Sequence, residues 1–266
     1  MLTWDSQLIT QSDRRCTWID GYEVDNFEIF AVTPLQLACY AGKWEIIKIL
    51  LLPEYNVPLT GFHYHMAILN ATKGKHLDIV NHLVDVGDLE SMPPEFLDRF
   101  RHRMLRVACD NGAVDVVRML LNKGVSVIPL DPKGSSLILA CPTSIAAGHG
   151  YDEIISLLLE TGPDLDRISP NPRTYDVYTP IQKAARYGHL KSLKLMLETY
   201  SISYESQVLF HAIVGGQEHI IRYLAQDGIL NYEEKFGEAS VGCGHAAFTY
   251  DWTRPLVKEL GLLLPR

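Results

Sequence analysis

The feature that most constrains this chain is an apolar pattern that returns every 28 to 38 residues along most of its length. In each copy an alanine stands four positions ahead of a glycine or polar residue, as Ala38 stands ahead of Gly42. Aliphatic pairs follow the glycine at four and eight positions, as in Ile46-Ile47 and Leu50-Leu51. A period of this length is typical of a protein built from one repeated supersecondary unit. The alanines that align are Ala38, Ala71, Ala108, Ala146, Ala184, Ala212 and, as the weakest match, Ala247.

The spacing of the aliphatic pairs predicts helices. Pairs that recur four residues apart form a broad stripe at the 3.6-residue period of a helix, whereas a strand would need alternation. The small alanine lets two helices approach closely, and the glycine ends the first helix where a left-handed conformation costs least. The sequence therefore predicts a stack of helical hairpins, each of which is buried by its neighbours.

Two segments resemble a known repeat family. Thr33-Pro34-Leu35-Gln36-Leu37-Ala38 and Thr179-Pro180-Ile181-Gln182-Lys183-Ala184 resemble the T-P-L-H-x-A box of ankyrin repeats, and Gly188-His189-Leu190 resembles its G-H-L turn. The threonine can cap the first helix, and proline suits its first turn. The resemblance, over residues 32–262, implies an all-α ankyrin-repeat solenoid of about seven helix-turn-helix repeats with short or degenerate β-hairpin loops. Four boxes depart from the pattern: Met66-Ala67-Ile68, Arg103-Met104-Leu105, Cys141-Pro142-Thr143 and Gln207-Val208-Leu209.

We expect residues 1–31 to form an N-terminal aromatic cap and residues 32–266 to form the repeat array. The first copy of a stack meets water on one face, and the segment before it is rich in Trp, Tyr and Phe. The final leucines, 262–264, either pack on the last helix or form a contact surface. Long connections at 88–102, 122–140 and 160–178 are positions where such loops often carry function. The repeats are expected to start near residues 33, 66, 103, 141, 179, 207 and 242.

Composition restricts the class of partner and the compartment. The net charge of −8 and the pI near 5.7 disfavour nucleic acid. Five cysteines without a C-x-x-C motif, and a start without a basic region and long apolar stretch, predict an intracellular protein, cytoplasmic or nuclear. No run approaches the roughly 18 apolar residues that cross a bilayer, so no membrane partner is expected.

The resemblance implies a concave groove lined by the residues just before each turn glycine. In this chain that stripe is mixed in charge and rich in tyrosine. Tyr and Arg are enriched at binding hot spots, which favours recognition of a protein or peptide partner. The alternative is that these positions are polar only because they are solvated. The candidate binding residues are Tyr40, Lys73, Arg106, Asp110, Asn111, His149, Arg186, Tyr187 and Tyr250.

A cluster of cations stands at residues 99–106, at the entrance to the third copy of an acidic chain. Guanidinium groups suit carboxylate or phosphate, so one interpretation is a loop beside the groove, near Lys73, that binds an acidic ligand or peptide. The other interpretation pairs these cations with the nearby carboxylates of Glu95, Asp98 and Asp110. Both stay open. The anion-binding candidates are Arg99, Arg101 and Arg103, which stand beside His102 and Arg106.

An enzymatic reading competes with the scaffold. Asp110, His149 and the Arg186-Tyr187 pair should fall on neighbouring helices about 10 Å apart, which exceeds the hydrogen-bond reach of acid–base catalysis unless the side chains lean together. No hydrolase, nucleotide-binding or zinc-protease motif is present. The enzyme reading is therefore less favoured, and its form is a small-molecule or catalytic site in the same groove.

No metal site or cofactor is predicted. His63 and His65 stand in a predicted loop where two imidazoles could reach one ion, but no third ligand is identifiable. Cys39 and Cys109 follow the box alanines, where cysteine behaves as a compact apolar side chain out of reach of a substrate. Oligomeric state and partner identity cannot be read from these patterns.

Overall fold

The computed structural model describes residues 16–19, 22–25, 32–87, 89, 92–127, 141–162, 178–199, 205–226 and 259 of the 266-residue chain. Helices dominate these residues and follow one another in pairs joined by tight turns. The predicted array of helical hairpins is thus confirmed for six copies. The expected seventh copy, with Ala247, and the three leucines near the C-terminus lie outside the described residues.

A two-stranded antiparallel hairpin precedes the helices. Its strands are β1 (Cys16–Ile19) and β2 (Tyr22–Asp25), and the register pairs Ile19 with Tyr22 and Cys16 with Asp25. The expectation for residues 1–31 included a cap but no strands. The remaining residues of that segment lie outside the described part of the chain, so the capping role stays a proposal.

The chain divides into two compact units, Met1–Arg101 and His102–Arg266. The first unit contains α1 (Pro34–Tyr40), α2 (Trp44–Leu50), a 3-10 turn (Pro53–Tyr55), α3 (Phe62–Lys73), α4 (Leu77–Val86) and the start of α5 (Pro94–Asn111). The second contains the rest of α5, α6 (Val114–Asn122), α7 (Pro142–His149), α8 (Asp152–Glu160), α9 (Pro180–Tyr187), α10 (Leu190–Thr199), α11 (Glu205–Val214) and α12 (Glu218–Gln226). In the first unit, α1 packs against α3. In the second unit, α7, α9 and α11 pack in succession, as do α6, α8 and α10.

The two complete boxes cap their helices as predicted. The Thr33 hydroxyl accepts from the Gln36 backbone N–H at 3.2 Å, and the Gln36 side-chain oxygen accepts from the Thr33 N–H at 3.3 Å. Thr179 and Gln182 form the same reciprocal pair. Such caps satisfy backbone donors that a helix start leaves without partners. They also fix where α1 and α9 begin.

The turn inside each pair is left-handed, as predicted. Five glycines four positions after the box alanines have φ between 65° and 86°. The second copy places Lys75 at this position, also with a positive φ of 64°. A side chain in this conformation is strained, because its β-carbon approaches the following carbonyl. The five glycines are Gly42, Gly112, Gly150, Gly188 and Gly216.

Burial of the second helix in each pair depends on a neighbouring pair. Ile79, four residues after the turn residue of the second copy, is 1% exposed, and Val116, Ile154 and Ile220 at the same position are equally buried. Ile46, their counterpart in the first copy, is 50% exposed. Within the described residues no helical pair precedes the first copy to cover this side chain. The difference therefore measures what a neighbour contributes.

The long connection predicted at 88–102 is instead largely helical. Helix α5 begins at Pro94, nine residues before the Arg103 box, and Leu97 and Phe100 on its added turns are buried. The sequence of residues 93–98 predicts one extra helical turn, and the structure makes this turn part of a continuous helix. The buried residues keep the helical period and the proline suits a first turn, which explains why the helix starts early. Most of the other two long connections, residues 128–140 and 163–177, lies outside the described residues.

Three histidines are buried in the core: His65, His102 and His211. Burial lowers the pKa of each imidazole to about 4, because the charged form loses its hydration. The nearby charges of Arg106 and Arg186 add to this lowering for His102 and His211 respectively. These three residues therefore stay neutral in the folded protein well below neutral pH.

No helix among the described residues combines the length and apolarity that a bilayer crossing requires.

Matched substitutions should show the contribution of a neighbouring pair. We expect Ile79→Ala to lower the free energy of unfolding by about 3 kcal/mol, as for a fully buried aliphatic residue, and Ile46→Ala to lower it by less than about 1 kcal/mol. Both positions are helical and equivalent in their copies, so helix propensity cancels. Urea denaturation of the two variants measures the difference. Equal losses would mean that a cover lies over the first copy.

The left-handed turn at Lys75 should be improved by glycine. Lys75→Gly is expected to raise the free energy of unfolding by about 0.5 to 1 kcal/mol, because the strain at φ 64° is relieved. Lys73→Gly, two residues earlier at the end of α3, is the control and should lower it by a similar amount. Thermal melting compares them. A loss of stability in Lys75→Gly would contradict the strain.

Acidification should destabilise the protein between about pH 6.5 and pH 4. In this interval the unfolded chain binds protons at His65, His102 and His211 while the folded protein does not, so the free energy of unfolding falls as the pH falls. At pH 5 each histidine should account for about 2 kcal/mol of this loss.

Urea midpoints at pH 7.5 and pH 5 test this acid sensitivity. The His211→Phe variant, which keeps an aromatic ring at this position, should lose part of the pH dependence. His219→Gln, at an exposed histidine, should retain all of it. A midpoint that does not move between the two pH values would refute the assignment.

Candidate functional site

The residues just before the turn glycines come together in the second unit. We call this surface the turn face and define it as Asp110 on α5, Gly148 and His149 on α7, and Arg186 and Tyr187 on α9. The side chains of Asp110 and His149 are 61% and 47% exposed, and Tyr187 is 53% exposed. Four of these five positions were predicted from the sequence, and Gly148 was not.

Side chains that follow the turn glycines hold the backbone of this face in place. The His189 ring N–H donates to the Gly148 carbonyl at 3.0 Å, and the Gln217 amide donates to the Arg186 carbonyl at 3.2 Å. A β-carbon at Gly112 would lie only 2.9 Å from the Tyr151 ring, so that ring packs directly on the turn. Each turn is thereby held by the next copy along the chain.

Asp110 and His149 form a direct hydrogen bond between two copies. The His149 Nε2–H donates to Asp110 Oδ1 at 3.1 Å. The Tyr151 ring stacks on the imidazole, with centroids 5.3 Å apart and planes 23° from parallel. Helix spacing was expected to keep these side chains out of hydrogen-bond reach unless they lean together. The two side chains do lean toward each other, and Tyr151 supports the imidazole.

The hydrogen-bonded pair contributes little to folding. Both side chains are about half exposed, and exposed ion pairs stabilise proteins by about 1 kcal/mol or less. The second carboxylate oxygen of Asp110 has no hydrogen-bond partner among the described residues. The pair therefore presents an oriented carboxylate and imidazole to solvent, which a donor group on a ligand can use.

Gly148 makes room for the next copy. A β-carbon there would lie 3.5 Å from Lys183 Cδ and 3.9 Å from Tyr187 Cε2, so both α9 side chains extend over this residue. Tyr187 thus stands beside the His149 turn and is half exposed. The turn face offers a carboxylate, an imidazole, a phenol and a guanidinium group.

Arg186 lies at the other end of the turn face and contacts an aromatic pair. Its guanidinium carbon is 5.2 Å from the centroid of the Tyr178 ring. The edge of Tyr178 meets the buried His211 ring, with centroids 4.7 Å apart and planes at 70°. A guanidinium over an aromatic ring is held by the ring quadrupole and keeps its planar fork of donors.

The remaining predicted binding residues are placed differently. The Asn111 amide donates to the Val107 carbonyl at 2.8 Å, so it closes the end of its own helix. Tyr40 and Lys73 are exposed at the ends of α1 and α3 in the first unit. Arg106 is half-buried on α5. Tyr250 lies outside the described residues.

The arginine cluster lies on a helix and not in a loop. Arg99, Arg103 and Arg106 share one side of α5 at spacings of four and three residues, and Arg101 lies on another side. Arg99 is exposed, whereas burial and the neighbouring charge of Arg106 lower the pKa of Arg103. A loop was predicted here because the early start of α5 was not foreseen. Anion binding by Arg99, Arg101 and Arg103 stays a prediction.

The two histidines considered for metal binding lie on helix α3, not in a loop, and are engaged elsewhere. Gln36 Nε2 lies 3.2 Å from His63 Nδ1 and donates to the His63 carbonyl at 3.2 Å. The buried His65 ring packs against Phe100, with centroids 4.7 Å apart. Across the described ranges, no three His, Cys, Asp or Glu side chains lie close enough together to hold a metal ion.

The cysteines at the box positions are inert, as predicted. Cys39 and Cys109 are fully buried. Burial raises the pKa of the Cys39 thiol to about 12 and raises that of Cys109 as well. A thiol in this state is a poor nucleophile because little thiolate forms.

Besides Gly148, sequence reasoning missed four residues in and around the site: Tyr151, Tyr178, Lys183 and His211. Tyr151 occupies the position of His189 in the G-H-L turn, which is a usable signal for contact with the preceding turn. Lys183 and His211 occupy the variable position before the box alanine, and Tyr178 precedes a box. Those three positions carry no pattern that marks them, so only the fold brings them to the face.

Comparison with known proteins identifies the family of these repeats. A family model described as ankyrin repeats (3 copies) matches residues 35–131, 65–169 and 143–235. The human ASB11 ankyrin repeat domain, known from a crystal structure, superposes with a TM-score of 0.63 at 20% identity, covering 88% of this chain and 99% of that one. At this identity the likeness shows the fold alone.

Curated relatives match through part of their length. The serine/threonine-protein kinase TNNI3K of Mus musculus is 31% identical over 113 residues, 41% of this chain and 13% of the kinase. The ankyrin repeat and KH domain-containing protein mask of Drosophila melanogaster is 30% identical over 105 residues, 39% of this chain and 2% of that protein. A similar protein of Caenorhabditis briggsae, CBG24701, is 29% identical over 120 residues, 45% of this chain and 4% of its own length.

Proposed function

Because the chain belongs to the ankyrin-repeat family, we propose that it is a binding scaffold that recognises a protein or peptide partner through the turn face of its second unit. Ankyrin repeats generally serve protein–protein interaction, and the family gives the class of function. The residues of the turn face suggest where the partner binds. Activities of the longer relatives belong to proteins of which this chain matches a small part.

The observation that carries the proposal is the Asp110–His149 pair with its aromatic flanks. The helices of the second unit bury their aliphatic residues, yet this hydrogen-bonded pair, Tyr187 and the half-exposed Tyr151 face solvent. The pair is too exposed to be needed for folding, and Tyr151 fixes its geometry. Oriented polar groups beside exposed tyrosines are the composition of a recognition surface, because tyrosine combines contact area with low entropy cost.

The hydrogen bonds beneath the turn face support recognition of an extended surface. His189 and Gln217 hold the carbonyls of Gly148 and Arg186, so the side chains project from a fixed backbone. A partner that meets a rigid face loses less conformational entropy in the complex. A segment lying across three successive copies would contact Asp110, His149 and Tyr187 in turn.

The cysteines support a proposal about the compartment. Cys39 and Cys109 are buried thiols outside any disulfide among the described residues. Thiols of this kind suit a reducing environment, which supports a location in the cytoplasm or nucleus. An acidic partner remains part of the proposal, because Arg186 forms the cationic end of the face and Lys183 lies beside the face at Gly148.

Capture from a source lysate with paired variants tests the binding face. The intact chain is compared with a triple variant of the turn face, Asp110→Ala, His149→Ala and Tyr187→Ala. The control is a triple variant on the second helix of each pair, which we call the outer helices (α6, α8 and α10). Its changes are Arg118→Ala, Glu153→Ala and Lys191→Ala, which also remove three exposed polar side chains. We expect the turn-face variant to lose at least about tenfold in capture of a specific protein and the control to retain it.

The captured protein is then titrated against the purified chain by calorimetry. The turn-face variant should bind more weakly by the same factor, with an unchanged melting temperature that excludes unfolding. Equal binding by both triple variants would move the partner to another surface. Enrichment of a small molecule in place of a protein would overturn the scaffold proposal.

A further inference from the structure

A buried histidine with an unused ring nitrogen lies behind the cationic end of the turn face. His211 is only 7% exposed, and its Nδ1 has no hydrogen-bond partner. A buried polar atom without a partner costs free energy that folding alone gives no reason to accept. Among the described residues, His102 and Thr143 also have buried polar atoms without a partner. His211 differs from them because its ring meets Tyr178, which in turn contacts the half-exposed guanidinium of Arg186. We therefore consider a ligand that completes the hydrogen bonding at His211.

The groups around His211 define what that ligand must be. Tyr178, just before α9, meets the imidazole edge to face, and Phe210 lies beside it on α11 with ring centroids 5.3 Å apart. Arg186 lies over the Tyr178 ring, and its charge acts on the imidazole. No carboxylate of the described residues pairs with Arg186 or His211, so these two potential cations suit an anion.

We propose that Arg186, Tyr178 and His211 form a subsite for one carboxylate side chain of the partner. The inference rests on the proposed function for the source of that side chain. Arg186 is half-exposed, so the ligand meets it first, and its planar fork can donate two N–H bonds to the two oxygens of a carboxylate. The imidazole then donates from Nδ1 to one of these oxygens. The Tyr178 ring holds the guanidinium in the orientation that this requires.

Binding should draw a proton onto the imidazole. Without a ligand, burial and the Arg186 charge both disfavour the charged ring, whose pKa is about 4. A carboxylate between the two groups offsets the guanidinium charge and accepts from the imidazolium. The pKa of His211 is therefore expected to rise when the subsite is filled, and this change reports occupancy directly.

The test uses two blocked tripeptides that differ in one group, Ac-Ala-Glu-Ala-NH2 and Ac-Ala-Gln-Ala-NH2. The intact chain is titrated with each while NMR follows the His211 imidazole. With the glutamate peptide the pKa of His211 should rise from about 4 to about 5 or higher, and the glutamine peptide should leave it unchanged. Inorganic phosphate forms a third arm. Phosphate binding tighter than the glutamate peptide would mean a phosphoryl site and would overturn the carboxylate assignment.

Variants separate the roles of the residues. Arg186→Gln should weaken the glutamate peptide at least about tenfold, and Arg186→Lys should recover only part of the loss because it lacks the fork. His211→Phe keeps a ring at this position and should weaken the peptide while removing the pH dependence. Arg118→Gln, at an arginine on an outer helix, is the matched control and should bind as the intact chain does.

Equal responses to both tripeptides, or unchanged affinity in Arg186→Gln, would overturn the subsite. The proposed function fails by a different result, since it rests on partner capture through Asp110, His149 and Tyr187. A partner that depends on those residues but binds Arg186→Gln normally would retain the scaffold and remove the subsite.

Discussion

The structure depends on one constraint, which is that a helical pair cannot bury both of its faces without a neighbouring pair. Ile46 and Ile79 occupy the same place in consecutive copies, yet one is half exposed and the other is buried. The sequence provides each copy with the same aliphatic pairs, so the difference comes from the neighbour and not from the residue. Stability in such a protein is approximately a sum over adjacent copies.

The same constraint fixes the surface that we assign to binding. Adjacent helices approach at the box alanines, which leaves the turns at a regular spacing and lets His189 and Gln217 reach the carbonyls of the preceding turn. These contacts use the backbone of the preceding turn and not its side chains. The side chains just before each glycine are therefore free to vary, and in this chain they include Asp110, His149 and Tyr187.

The repeated features of the fold could be predicted from the sequence because they rest on local rules. The aliphatic period, the capping threonines Thr33 and Thr179 and the left-handed glycines each have a physical cause within a few residues. The extension of α5 back to Pro94 also had a signal, since Leu97 and Phe100 continue the helical period. Only one extra turn, at 93–98, was predicted, because the degraded Arg103 box marks the expected start of this copy.

The placement of the candidate residues could be predicted from the sequence, but their contacts could not. The stripe of residues before the glycines identified Asp110, His149, Arg186 and Tyr187, since their place in the repeat is fixed. Whether two of them touch depends on how side chains of different copies lean, and this depends on Tyr151 and on the absence of a side chain at Gly148. The sequence spacing holds no information on these contacts. The hairpin at residues 16–25 was missed although the Asp20-Gly21 dipeptide between its strands is typical of a tight hairpin turn.

The two halves of the turn face differ in how they relate to folding. Asp110 and His149 hydrogen-bond to each other in solvent, so the pair neither stabilises nor destabilises the folded protein by much. His211 and Arg186 are the reverse, because a buried nitrogen without a partner beside a guanidinium opposes folding. Sequences are consistent with their folds at most positions, and departures concentrate where a ligand supplies what the fold lacks. We therefore expect the cationic end of the face to be the part that selects the chemistry of a ligand.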